Sequence, residues 1–221
     1  MPLYGRICKD FGFDPSEDRK SADLLAKHLG VRSDDSLKMS KNRVSQMVLV
    51  CGGGPNLADE ISITDIRWPV IAADSATTTL LEAGITPDMI VSDLDGVVED
   101  QIEANSRGVP IFVHAHGDNT RALGRYLDKF QGPVIGTCQC EPIEHVFNFG
   151  GFTDGDRAAC IASELGAKEI LLAGFDFENP AKKQGRNSDI KKRKLAWARI
   201  ILDELGKEGS RVIPVADFAD R

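Results

Sequence analysis

What the chain lacks removes several classes of protein. No apolar run approaches the roughly 20 residues that cross a bilayer, so no membrane span is expected. The opening stretch MPLYGRICKDFGFD carries neither a long apolar segment nor a small-residue cleavage site, and a cytoplasmic location is expected. Cysteine is scarce: there are five, an odd number without framework spacing, which reads as reduced thiols rather than disulfides. There is no basic surplus either. A net charge of -7 speaks against a nucleic-acid binder, which would show a positive face. It still allows a small anionic substrate, held locally by backbone N–H groups and a divalent cation. Internal repeats and low-complexity segments are absent.

What remains is an ordinary globular composition, 42% hydrophobic and 28% charged over 221 residues, enough for one substantial core. Residues 1–45 read as a helical N-terminal appendage. In DPSEDRKSADLLAKHLG a helix start at Asp14 or Ser16 is followed by Ala22, Leu25, Ala26 and Leu29 at helical spacing, with Gly30 as the stop. The polar, basic KMSKNRVSQ follows. Residues 46–221 then change rhythm. MVLVCGGGP, WPVIAADSA, PDMIVSDLD, GVPIFVHAHGD, GPVIGTC and AKEILLAGFD are short apolar runs, each ending in Gly, Asp, His or Cys. Helix-like stretches at 77–84, 119–130 and 156–165 separate many of them. Short, wholly apolar strands alternating with helices predict an α/β fold: a doubly wound, mostly parallel sheet covered on both faces. Ligands of such sheets bind beyond the carboxyl ends of the strands.

Those ends carry the chemistry. Gly52, Gly53, Gly54 and Pro55 follow the first strand. They suit either close backbone approach to a phosphate or a tight strand-to-helix turn. The Gly-Lys-Ser/Thr ending of a P-loop is missing, and so is the third glycine of the dinucleotide fingerprint. Asp74 ends VIAAD, Asp93 and Asp95 end MIVSDLD, and Asp118 follows IFVHAHG. Any one of these could cap a helix. Together at one rim they suit Mg²⁺, which takes hard oxygen ligands from one or two carboxylates plus substrate phosphates. His116, beside Asp118, reads as a polar rim residue able to contact phosphate or substrate. The pairs His114/His116 and Cys138/Cys140 invite a zinc site, but neither has knuckle spacing. FNFGGFTDGDRAAC, residues 147–160, suits a binding loop for a flat ring. Asp154 or Asp156 would cap its helix, and Arg157 would be offered to an anion. The basic run 182–200 reads as a solvated loop and helix face, its rival role being a lid over triphosphate. Trp197 reads as packing.

DMIVSDLDGVVED at 88–100 resembles the first motif of the haloacid-dehalogenase phosphatases. That family also needs a lysine and a later acidic motif. No lysine lies between Asp95 and Asp118, and GDNT at 117–120 lacks the second Asp. A different order of motifs, GGGP, AADSA, GITPDMIVSDLDG, HGDNT and GGFTDGDRAA, resembles thiamin pyrophosphokinase in layout. VHAHGDN, FGGFTDGDRA and LAGFDF are more similar to the archaeal 6-hydroxymethyl-7,8-dihydropterin pyrophosphokinases, over nearly the whole chain. Ser75 and Ala76 where the thiamin enzymes have Gly-Gly, and Gly96 where they have Ser, push toward the pterin branch.

The resemblance implies a thiamin pyrophosphokinase-like catalytic domain and diphosphoryl transfer from ATP to a pterin alcohol, with AMP released. It implies that Asp93, Asp95 and Asp118 are catalytic. With Asp74 they would hold one or two Mg²⁺. It places Gly52 to Pro55, Asn119 and Thr120 at the nucleotide. It places His116, Phe149, Thr153, Asp154, Asp156 and Arg157 at the substrate. Asp118 or His116 would serve as any general base. A homodimer is implied, with no nucleic-acid or membrane partner. The same chemistry on thiamin, and a catalytically silent nucleotide-binding module, are the alternatives.

Overall fold

A computed structural model describes residues 2–178 and 188–218. Three helices come first: α1 (Pro2–Phe11), α2 (Pro15–Leu29) and α3 (Val31–Ser40). Strands and helices then alternate as β1 (Met47–Cys51), α4 (Leu57–Ile63), β2 (Val70–Ala73), α5 (Ala76–Glu82), β3 (Met89–Ser92) and α6 (Val98–Ser106). They continue as β4 (Ile111–Ala115), α7 (Thr120–Tyr126), β5 (Val134–Cys138), β6 (Val146–Phe147), α8 (Asp154–Glu164) and β7 (Glu169–Ala173). The last elements are α9 (Ser188–Lys207), β8 (Arg211–Pro214) and α10 (Val215–Phe218).

The eight described strands form one parallel sheet in the order β6-β5-β4-β3-β2-β1-β7-β8. The chain winds outward from β1 to β6, then crosses back to place β7 on the other side of β1. Right-handed crossovers dictate the helix layers. The outward winding puts α4, α5, α6 and α7 on the face of Leu49, Ala72, Ile90 and Val113, and the return puts α8 and α9 on the face of Val48, Ile71, Val91 and Phe112. Both faces are covered, as the wholly buried strands require. The order reverses between β1 and β7, and at such a switch the loops leaving the two strands diverge into a crevice.

The three N-terminal helices pack into this architecture. α2 has Asp14 as its N-cap, accepting from the Ser16 N–H at 2.9 Å, Pro15 in its first turn and Gly30 at its end. Its apolar stripe, Ala22, Leu25 and Leu29, is buried in the α4–α7 face, while Ile7 of α1 is buried in the opposite one. α3 solves an edge problem. β6 pairs only with Gly136 and Thr137, so part of β5 would expose unpaired backbone groups. The buried hydroxyls of Ser33 and Ser36 accept from the N–H groups of Gly136 (2.9 Å) and Val134 (3.1 Å). Trp197 donates from Nε1 to Asp10 at 2.9 Å and packs with the α8–α9 core. Residues 182–187 of the basic run lie outside the described residues; 188–200 form the first part of α9. No described helix is long and apolar enough to cross a membrane.

Leu25→Ala empties a fully buried position and is expected to cost about 2–5 kcal/mol. Both tryptophans lie after residue 46. Urea unfolding followed by tryptophan fluorescence and by circular dichroism is expected to shift together, because the helices share the sheet's core. A fluorescence transition that stays in place would mean the helices unfold separately.

Candidate active site

The carboxyl ends of β1 to β5 and β7, with the N-terminus of α8 and one side of α9, enclose a cavity of about 950 Å³. Its floor is acidic. Asp74, Asp93 and Asp95 each offer a carboxylate oxygen, and these atoms all lie within 4.8 Å of one another. The backbone is bent to achieve this. Asp74 and Leu94 both take left-handed conformations, φ 45° and 65°. That is tolerable for Asp but costly for Leu, and such strain persists only where the surroundings over-determine it. Here they do. Leu94 is 3% exposed in the apolar core, and its N–H donates to Ser92 Oγ at 2.9 Å. The Ser92 hydroxyl donates in turn to Asp74 Oδ1 (2.9 Å), which also accepts from Gln101 Nε2 (3.0 Å). The turn at Leu94 buries that side chain while its two acidic neighbours line the cavity. Gly96 completes the fit: a Cβ there would lie 2.5 Å from Asp74 Oδ2.

A fourth carboxyl faces the cluster. Asp154, in the first turn of α8, is held well above the usual carboxylate range. Removal from water is the main cause, followed by the negative charges of Asp93 and Asp74. Asp156 has a different task. It closes a capping box with Thr153, accepting from the N–H groups of Phe152 (2.6 Å) and Thr153 (2.8 Å) and from the Thr153 hydroxyl. Arg157 is 2% exposed. Its guanidinium donates to the carbonyls of Gly150 and Phe152, both at 3.2 Å.

The β4 side is tied to the N-terminal helices. His116 Nε2 lies 3.3 Å from Asp93 Oδ2. Asn119 donates to the carbonyls of Asp93 (2.9 Å) and His114 (2.6 Å) and accepts from the His116 N–H at 3.0 Å. Its amide is therefore occupied in clamping β3 to β4. Asp18 of α2, 5% exposed, accepts from Gly117 N–H (2.8 Å), Gln139 Nε2 (2.7 Å) and the Tyr4 hydroxyl (2.7 Å).

Of the residues singled out by sequence, Gly52, Gly53, Gly54, Asp74, Asp93, Asp95, His116, Asp118, Asn119, Thr153, Asp154 and Arg157 all line this cavity. Asp118 stands on the wall outside the three-carboxylate cluster. Pro55, Thr120, Phe149 and Asp156 are not on the wall. Thr120 pairs its hydroxyl with Ser21 (2.8 Å), and Phe149 packs edge-on against Phe112 in the core. The glycines answer first to a close crossing of backbones. A Cβ at Gly52 or Gly54 would lie 2.8 or 2.3 Å from the Gly174 carbonyl oxygen, and the Gly54 N–H donates to that oxygen at 2.8 Å. Zinc is not assembled. His114 pairs in register with Thr137, and Cys138 with Ala115, so the histidine and the cysteine project from opposite faces of the sheet. Among the described residues the carboxylate trio alone gathers three potential metal-ligating groups.

The sequence did not place Phe13, Glu17, Asp18, Gln139 or Phe175 on this wall, suggested His114 only as a zinc ligand, and put Lys191 and Lys194 near triphosphate only as the rival reading of the basic run. AKEILLAGFDF did mark a strand end at Phe175. Nothing in the N-terminal stretch distinguishes Asp18 from a solvated helical acid.

The donor set fits Mg²⁺. All the groups are hard oxygens, and Asp93 Oδ1 is a buried atom with no hydrogen-bond partner. The same geometry sets a pH dependence for the metal-free protein. A carboxyl whose folded pKa is raised costs nothing below its unfolded value, near 3.9, and lowers stability as pH rises toward the folded value. Asp154→Asn is therefore expected to raise the melting temperature in EDTA at pH 7 and to leave it nearly unchanged at pH 4. A variant that melts lower than the parent at pH 7 would contradict the assigned repulsion.

Comparison with known proteins follows the same lines. Residues 24–182 match the model of the family described as 6-hydroxymethylpterin diphosphokinase MptE-like. A 6-hydroxymethyl-7,8-dihydropterin pyrophosphokinase of Pyrococcus furiosus is 44% identical over 94% of this chain and 93% of its own. The protein of the same name from Methanothermobacter thermautotrophicus is 43% identical over 93% of each. Among solved structures, thiamine pyrophosphokinase from Bacillus subtilis is 20% identical, with a TM-score of 0.41 over 76% of this chain and 59% of its own. By its matched span and its identity to these relatives, the chain belongs to the 6-hydroxymethylpterin diphosphokinase MptE-like family.

Proposed function

We propose that the chain transfers diphosphate from ATP to the hydroxymethyl group of 6-hydroxymethyl-7,8-dihydropterin, releasing AMP. The observation that carries this reading is the trio Asp74, Asp93 and Asp95, with ligand atoms within 4.8 Å of one another on the floor of a cavity large enough for two substrates. The names of the relatives at 43–44% identity support the acceptor. Phosphoryl-group transfer is mostly positioning and charge neutralisation. When bound, one or two Mg²⁺ supply the neutralising charge on the triphosphate.

The chain's own residues do the rest. Asp74, Asp93 and Asp95 would hold the metal, with the Ser92 and Gln101 hydrogen bonds fixing Asp74. The triphosphate lies toward β1 and β7, where Gly53, Phe175, Lys191 and Lys194 line the wall. The acceptor lies toward β4 and β5, so that its hydroxymethyl oxygen meets the β-phosphorus above the carboxylates and AMP departs toward β7. His116 or Asp118, both on the wall, takes the hydroxyl proton. A cytoplasmic homodimer belongs to the same proposal. Of the alternatives, a silent nucleotide-binding module has no use for a strained, hydrogen-bonded carboxylate cluster.

With ATP, Mg²⁺ and the dihydropterin, AMP and the pterin diphosphate are the expected products, and thiamin in its place is expected to give none. Asp93→Asn and Asp95→Asn are each expected to lower kcat by roughly 100-fold or more at an unchanged circular dichroism spectrum. Parental turnover in either variant would remove that residue from the metal site. AMP formed only with thiamin would replace the acceptor.

A further inference from the structure

The β4–β5 end of the cavity holds polar atoms that the carboxylate chemistry does not use. His114 and Arg157 are each 2% exposed and line the cavity, and His114 Nε2 and Arg157 Nε have no hydrogen-bond partner. Two orphaned polar atoms on buried side chains at one wall cost free energy unless a ligand pairs with them.

The chemistry of each atom can be read. Thr137 Oγ1 donates its only proton to the Val113 carbonyl at 3.3 Å, and it faces His114 Nδ1 at 3.1 Å with a lone pair. With the Thr137 proton on the Val113 carbonyl, the ring proton belongs on Nδ1 and Nε2 is left as an acceptor. The ring stays neutral, because burial and the positive Arg157 both oppose its protonation. Gln139 stands beside it. Its Nε2 donates to Asp18 Oδ2 at 2.7 Å, which fixes the carboxamide. Its oxygen is close enough to the His114 ring to favour a proton there, yet does not meet hydrogen-bond geometry at Nε2. In that tautomer His114 Nε2 and the Gln139 oxygen stand side by side as acceptors, and the histidine atom has no partner. Arg157 Nε–H is a donor without an acceptor, and no carboxylate pairs with this guanidinium among the described residues. Phe13 and Phe152, ring centroids 6.4 Å apart, line the same cavity and offer apolar surface to a flat ring.

We propose that His114 Nε2, the Gln139 carboxamide oxygen and Arg157 Nε–H form a subsite that reads the 2-amino-4-oxo-pyrimidine edge of the acceptor heterocycle. That edge presents two donors, the exocyclic amine and the N3–H, and one acceptor, the 4-oxo oxygen, the complement of the three protein atoms. The aminopyrimidine of thiamin offers an amine and bare ring nitrogens instead, and so leaves one of the two acceptors unmet. Asp18 acts through Gln139 and is a positioning residue. The inference rests on the reading that the acceptor is a pterin, and it adds which atoms choose it. A site built to hydrogen-bond a group rejects analogues that lack it far more strongly than an apolar pocket does.

The test is fluorescence or calorimetric titration with 6-hydroxymethylpterin and with 6-hydroxymethyllumazine, in which the 2-amino group becomes a carbonyl. Wild-type protein is expected to bind the pterin about 10- to 100-fold more tightly than the lumazine. His114→Phe and Gln139→Leu keep the approximate shapes. Each is expected to weaken pterin binding by about 10-fold or more, to shrink the preference over lumazine, and to leave the affinity for ATP with Mg²⁺ unchanged. Equal binding of both ligands by the wild-type protein overturns the subsite whether or not the variants fold. So does parental pterin affinity in both folded variants. If the wild-type protein turns over the dihydropterin while either of these results is obtained, the subsite alone falls. If it binds and turns over only thiamin, the proposed function falls with it.

Discussion

Like charges gathered on one floor are the constraint around which this molecule is built. Asp74, Asp93 and Asp95 bring carboxylate oxygens within 4.8 Å, and all three help to drive up the pKa of Asp154. Nothing in the cluster itself favours this arrangement; the repulsion must be met by the rest of the fold. Part of the answer is local. Asp74 is anchored by two buried donors, Leu94 is held in a left-handed turn by the Ser92 hydroxyl, and Gly96 leaves room for the Asp74 carboxylate. The remainder comes from two apolar layers. Each strand that carries an acid at its end is itself buried on both faces, so the strain is set against a core that cannot easily relax.

The topology turns that constraint into a two-sided site. Because strands run outward from β1 and return beyond it, the carboxylates at β2 and β3 have the glycine crossing of β1 and β7 on one flank and the β4 and β5 ends on the other. The first flank brings aromatic rings and lysines; the second brings buried hydrogen-bonding groups. The proposed transfer from an anionic donor to a neutral heterocyclic acceptor would use that asymmetry. The N-terminal helices are part of it. Through Asp18, α2 fixes Gln139 and the Gly117 backbone, and through Ser33 and Ser36, α3 seals the β5 edge.

Much of this was legible in the sequence, for physical reasons. β1 to β5 and β7 are continuous apolar runs that end in Gly, Asp, His or Cys, as wholly buried strands of a parallel sheet must be. α2 is legible because its cap, its stripe and its stop all agree. β6 is two residues long and β8 is RVIP, too short or too mixed to stand out. α3 escaped because its buried face is made of Ser33, Ser36 and Ser40, so the helical period is written in polar residues. In the site, the acids were visible at the strand ends. The wall contributed by Phe13, Asp18 and Gln139 was not, because tertiary packing alone brings α2 to the ends of β4 and β5. Asp156 and Asn119 sat in the right stretches, but their side chains are committed to backbone groups, a distinction that spacing cannot make.

The central claim is that the three aspartates are a metal cradle rather than a set of helix caps. Crystals grown with Mn²⁺ and a non-hydrolysable ATP analogue, examined by anomalous diffraction, test it most directly. The account predicts an anomalous peak within about 2.3 Å of carboxylate oxygens of Asp93 and Asp95, with the analogue's phosphates completing the shell. A nucleotide bound with no peak at these carboxylates, or with the metal held elsewhere in the cavity, would contradict it.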